Sequence, residues 1–255
     1  MSRKLLALLS FLAFPVAGAQ TTPPGADAFN QFVAAYWELQ ESSQALMAMM
    51  TEKTPDKAKG RALVEQINED KNKVDRYLEQ AMKEGHAAAF YSKARGVQFG
   101  DPKNLDLTKK REAACALYGE SAKRGLIIGA VAYVNCSNTI PPTPQYEASR
   151  TLLRNALNAG DIYQDVYPLA ITHAYCFERK VEPLQEGEDP LEKMKVWAQP
   201  TLLEAEQARA EGFYLLAADY SSPTSSQSQQ DLDSAFSAGC QTDGLRLKPK
   251  PRKAD

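Results

Sequence analysis

Four cysteines and two histidines are the side chains of this sequence best suited to chemistry, and their spacing decides which chemistry is open to them. Cys115, Cys136, Cys176 and Cys240 contain no C-x-x-C pair, so a thioredoxin-like redox site has no support. His86 and His173 belong to no H-E-x-x-H helix, and no cysteine stands at metal-ligand spacing from either. The G-x-S-x-G, G-x-G-x-x-G and P-loop patterns do not occur in the sequence. Glu186, Glu188 and Asp189 cluster in a polar stretch without a partner base and read as solvating charge. His86 follows a turn at the start of a helix. His173 shares a segment with Tyr163, Tyr167, Tyr175 and Phe177, and both histidines read as packing residues. The expectation is a chain with no catalytic residue, no metal site and no cofactor. A hydrolase whose carboxylates meet only across the fold is the enzyme alternative.

The start of the chain gives the compartment. Arg3 and Lys4 precede the apolar run LLALLSFLAF, and Ala17-Gly18-Ala19 supplies small residues for cleavage. Residues 1–19 thus read as a secretory signal and the protein as periplasmic, with an apolar run too short for a permanent membrane span. Removing Arg3 and Lys4 takes 30 basic residues to 28 against 32 acidic, a net charge of −4. That balance argues against nucleic acid or an anionic membrane as the main partner. An even cysteine count in an exported chain suggests two disulfides, with three possible pairings and free buried thiols as the alternative. Cys115 and Cys136 lie 10 residues before and 11 after Gly125. An antiparallel hairpin turning there brings them level, which favours Cys115–Cys136 with Cys176–Cys240. Asn135-Cys136-Ser137 matches a glycosylation acceptor, discounted because the cysteine is expected to be bonded and the signal looks bacterial.

The elements that must position these residues are helical. TTPPGA ends a short linker over 20–26, and Asp27 is placed to cap the first helix. Phe29, Phe32, Val33, Tyr36, Trp37 and Leu39, then Leu46, Met47, Met49 and Met50, form an apolar stripe. It reads as core or as a cap on the fold, with an adaptable Met-rich binding surface as the alternative. Helices are further expected over 57–84, 107–124, 126–135, 145–159 and 161–179, the last kinked at Pro168. Pro200 suits the first position of a helix ending at Gly212. SSPTSSQSQQ (221–230) reads as a flexible linker before a short helix over 229–238, and 244–255 as a disordered basic tail.

One phrase recurs. Gly85, Gly125, Gly160, Gly212 and Gly239 close short small-residue segments, at intervals of 40, 35, 52 and 27 residues. Ala stands four residues before the Gly in four of these five, and Ser121 takes that place in the other. Helices ending at such corners fold back on one another, and units of this length stack so that each buries its apolar face on its neighbours. The expected fold is all-α, a helical-hairpin repeat domain over 27–243.

AMKEG, SAKRG and ALNAG each keep part of an Ala-Ala-x-x-Gly helix ending, and HAAAFYSKARG and GAVAYV match the helix that opens such a unit. Over about residues 70–240 the pattern resembles the Sel-one-like repeat, a relative of the tetratricopeptide repeat, though that family's Gly-x-Gly loop is absent. The resemblance implies a superhelix that binds another protein on a concave face. Phe90, Tyr91, Tyr133, Tyr163, Tyr167 and His173 are then the candidate contact residues, because a large amphipathic side chain suits an interface. Exported proteins of this family include immunity proteins against phospholipase-type effectors of type VI secretion, and that is the expected function. A periplasmic adaptor in envelope assembly or cell-wall maintenance is the alternative.

Overall fold

The computed structural model of the chain describes residues 22–52, 54, 56–100, 106–138, 143–172, 174–177, 187, 189, 200–218 and 225–241. The expected signal, most of the acidic stretch 181–189, residues 221–224, His173 and the basic tail lie outside the described residues. Among those described are eight α-helices, one 3-10 turn and one pair of short strands.

The helices are α1 (Ala26–Met50), α2 (Lys57–Lys83), α3 (Ala87–Phe99), α4 (Leu107–Lys123), α5 (Ile127–Ser137), α6 (Pro144–Ala159), α7 (Ala205–Ala217) and α8 (Ser226–Ser237). Side-chain caps start most of them. Asp56 accepts from the amides of Ala58 and Lys59 at 2.8 and 3.2 Å, and Asp106 from Lys109 at 3.0 Å. Thr143 caps α6 just before Pro144, Glu204 and Gln207 form a reciprocal box on α7, and Ser225 caps α8. The capping position of α1 is Gly25, and Asp27 lies inside the first turn, so Asp27 is not the cap expected of it.

The Ala–Gly corners have a direct mechanism at α2 and α8. Gly85 and Gly239 take φ of 89° and 91°, a region that penalises a Cβ. The residue after each glycine then reaches back across the corner. His86 donates its amide to the carbonyl of Ala81 at 2.9 Å, and Cys240 to that of Ala235 at 3.0 Å. Gly212 departs from the pattern: it lies inside α7, where its bare face meets Leu153 and Leu157 of α6.

Helices pack mainly on chain neighbours: α1 on α2, α3 on α4, α4 on α5, α5 on α6 and α7, and α7 on α8. The core centres on α5, where Ile127, Ile128, Ala130, Val131 and Val134 are buried. A Cβ on Gly129 would fall 2.2 Å from Oγ of Ser121, so α4 and α5 touch there through a missing side chain. Fully burying an Ile contributes about 1.5–3 kcal/mol, which makes this apolar helix the main source of cohesion. A second cluster of Cys176, Ala210, Tyr214, Ala217, Leu232, Ala235 and Cys240 joins α7 to α8.

The described residues of the 161–179 segment, 161–172 and 174–177, do not form the expected helix. Asp161 accepts from the amide of Tyr163 at 2.8 Å, a side-chain turn that competes with helix initiation. Pro168 has no amide to donate and disfavours helix at the residue before it. The chain makes a 3-10 turn (Gln164–Val166) and then β1 (Leu169–Ile171). β1 pairs antiparallel with β2 (Thr201–Leu203), placing Leu169 opposite Leu203 and Ile171 opposite Thr201. Pro200 therefore precedes a strand, and α7 begins only at Ala205. α8 begins at Ser226, so half of the expected linker is helix, because Ser225 supplies a cap.

Candidate functional site

The cysteines pair as Cys115–Cys136 and Cys176–Cys240, with Cα separations of 5.7 and 4.6 Å. The first bond ties α4 to α5. The second ties the segment after β1 to the end of α8.

A cleft of about 280 Å³ opens beside the first of these bonds. Three helices line it by faces the helical repeat sets. Tyr91, Arg95 and Gln98 recur at four and three residues along α3. Arg111, Ala114 and Tyr118 do the same on α4, and Ala132, Asn135 and Cys136 close the α5 side. Ile171 and Thr172 at the end of β1 complete the wall. Tyr91 is only 1% exposed and donates its hydroxyl to the carbonyl of Ala170, which anchors β1 over α3. The Tyr118 hydroxyl donates to Oε1 of Gln98 at 2.7 Å. Arg111 donates to the carbonyl of Cys136 at 3.4 Å, and the Arg95 guanidinium lies over the Phe99 ring at 5.0 Å. Burial pushes both tyrosines up, Tyr118 to about 12, while the nearby Arg95 charge pulls the other way. Both phenols stay protonated at neutral pH. The polar groups here are guanidinium, amide and hydroxyl, a set that holds a hydrogen-bond acceptor.

Of the contact residues expected from sequence, the structure brings Tyr91 to this cleft and places the other described ones elsewhere. Phe90 is half-buried beneath the Arg124 guanidinium at 4.1 Å. Tyr133 packs over Gly119, and Tyr167 is half-buried, its oxygen accepting from the amide of Ile128 at 3.4 Å. Tyr163 is 1% exposed and meets His86 edge-on at 5.3 Å. Tyr91 and Tyr163 are thus core side chains. His173 lies outside the described residues. His86 is itself buried and stacked on Phe29 at 4.3 Å, and burial lowers its pKa to about 4, leaving a neutral packing ring. The sequence reading does not single out Arg95, Gln98 or Arg111, and Asn135 enters it only as a discounted glycosylation acceptor. The available signal is a long polar side chain interrupting an Ala-rich helix face at helical spacing.

A second surface lies on α1. Phe29 and Phe32 are buried, but the same stripe emerges from the core through Tyr36, whose ring lies 6.3 Å from that of Phe32. Val33, Tyr36, Trp37, Met47 and Met50 are exposed, Trp37 by 63% and Met50 by 67%, while Met49 is buried. At 100° per residue the five fall within an arc of about 140°. The stripe is therefore only partly core.

Under this hairpin α1 and α2 are joined by charge. Asp70 is fully buried and accepts from Ser42 at 2.8 Å, Gln66 at 2.8 Å and Lys73 at 3.2 Å. Burial raises its carboxyl, but these three donors outweigh it and hold it below the usual range. Among the described residues no group of three or more His, Cys, Asp or Glu is placed to hold a metal, and no helix is long and apolar enough to cross a membrane. No family model matches the chain, and comparison with curated proteins and solved structures finds no similar one.

Proposed function

We propose that this chain is an exported, non-catalytic helical-hairpin repeat protein of the Sel-one-like and tetratricopeptide-like kind. In this reading it serves in the periplasm as an immunity protein that binds and neutralises a phospholipase-type effector of type VI secretion. The observation that carries the reading is the exposed apolar row on α1. Large aromatic and Met side chains stand in solvent on a helix whose opposite face is fixed to α2, which is what a preformed protein-contact surface needs. Helices that pack chiefly on chain neighbours suit a repeat stack, and two disulfides suit an oxidising compartment.

The test is expression of the mature chain in the periplasm beside the product of any toxin-like reading frame found next to its gene. Rescue of growth, with one tight partner recovered by affinity capture, is the expected result. Trp37→Ala should weaken that complex at least tenfold while leaving the melting temperature within about 2 °C, since exposed positions contribute little to stability. Failure of rescue together with several weak partners would favour the envelope adaptor instead.

A further inference from the structure

The cleft between α3, α4 and α5 carries an unbalanced set of hydrogen-bonding groups. Both hydroxyl protons that point into its walls are used, Tyr91 on the Ala170 carbonyl and Tyr118 on Gln98. Because Oε1 of Gln98 accepts from Tyr118, the amide nitrogen of Gln98 is left to donate. Arg95 adds its guanidinium, which also donates to the Tyr91 hydroxyl, and both Arg95 and Arg111 keep donors beyond those spent on Tyr91 and Cys136. Neither guanidinium forms an ion pair with a described residue, and no described lining residue is an Asp or Glu. Two positive charges thus share one recess with donors in excess and no acidic side chain among its described lining residues.

We propose that this recess is a carboxylate-binding site, taking a carboxylate borne on a short apolar or aromatic body. Guanidinium forks match the planar carboxylate two bonds at a time. Ala114, Ala132 and Ile171 supply an apolar floor, and the rings of Tyr91 and Tyr118 supply aromatic walls. A volume of about 280 Å³ suits one side chain or a small organic acid, near the lower end for ligand pockets. The walls are pre-set. The Cys115–Cys136 bond braces α4 against α5, and the Tyr91 hydroxyl holds β1 in place. Little ordering cost remains for the guest to meet. This site is separate from the α1 surface and stands whether or not that surface binds an effector.

The experiment titrates the mature, disulfide-intact protein with 3-phenylpropionate, followed by arginine side-chain NMR and calorimetry. Saturable binding that shifts the Arg95 and Arg111 Nε–H resonances is expected, with 3-phenylpropionamide at least tenfold weaker. Arg95→Gln and Arg111→Gln should each weaken binding about tenfold or more with thermal unfolding unchanged, whereas Trp37→Ala should leave it intact. A short peptide ending in Phe, compared with its C-terminal amide, separates the sources. Tighter binding of the free-acid peptide than of phenylpropionate assigns a chain terminus, and the reverse assigns a small acid; either keeps the site. Equal binding of acid and amide, tighter binding of inorganic phosphate than of either acid, or affinity unchanged in both arginine variants overturns the proposal.

Discussion

The α1–α2 hairpin and the α3–α5 centre are built from the same kind of element yet hold together by different physics. The centre is a small-residue interface. Ala87, Ala88, Ala89, Ala94, Ala114, Ala122 and Ala130 are each no more than 3% exposed, so backbones approach closely and Ile127, Ile128 and Val131 fill what is left. The hairpin is joined by a buried carboxylate and its donors, with large apolar side chains turned outward. One region spends its hydrophobic residues on its own cohesion. The other buries Phe29, Phe32 and Leu78 but leaves Val33, Trp37, Met47 and Met50 in solvent, and adds polar bonds that are individually modest and directional.

Four changes would break or sharpen this contrast. The largest effect is expected at Ile128→Ala in the centre, a loss of about 2–5 kcal/mol in urea unfolding, because a rigid Ala-lined site cannot collapse into the cavity. Removing the Cys176–Cys240 bond, by replacing both with Ala, should cost about 2–4 kcal/mol and release the α7–α8 cluster first. Amide exchange would show α8 losing protection while α5 keeps it. Asp70→Ala should cost about 1–3 kcal/mol, as the donors of Ser42, Gln66 and Lys73 lose their acceptor. A cost above that of Ile128→Ala would invert the comparison and make the polar seam the dominant support.

The smallest effect concerns pH, because two buried groups oppose one another. His86 has its pKa lowered by burial to about 4 from 6.5, so below 6.5 the unfolded chain takes up a proton that the fold refuses. Stability from this residue falls as pH drops from 6.5 towards 4. Glu211 is raised by burial to about 7 from 4.5, against the pull of the Tyr175 and Cys176 amides at 2.6 and 2.8 Å. The fold then holds a proton that the unfolded chain has lost, and stability falls as pH rises from 4.5 to 7. The two slopes overlap between 4.5 and 6.5, where the wild-type profile should be nearly flat. Urea midpoints of His86→Phe should fall with rising pH across that range, and those of Glu211→Gln should rise. A wild-type profile as steep as either variant's would show that one of the two groups is not buried as described.

Local chemistry was legible without the fold. Helical periodicity, the corners at Gly85 and Gly239 and the pairing of Cys115 with Cys136 all follow from near neighbours along the chain, though the cap expected at Asp27 falls to Gly25. These are interactions over a few residues, or across one hairpin, and residue type and spacing determine them. Three features were decided elsewhere. Residues 169–171 became strand because Thr201–Leu203, some thirty residues on, supplies their hydrogen bonds. The apolar stripe of α1 divides into buried Phe29, Phe32 and Met49 and exposed Val33, Tyr36, Trp37, Met47 and Met50, because burial depends on where the neighbouring helices reach and not on the stripe itself. The cleft joins side chains of three helices and a strand, so Arg95 and Arg111 acquire a shared recess only once those elements meet. A periodic face says that a helix can be covered; only packing says what covers it and where the cover ends.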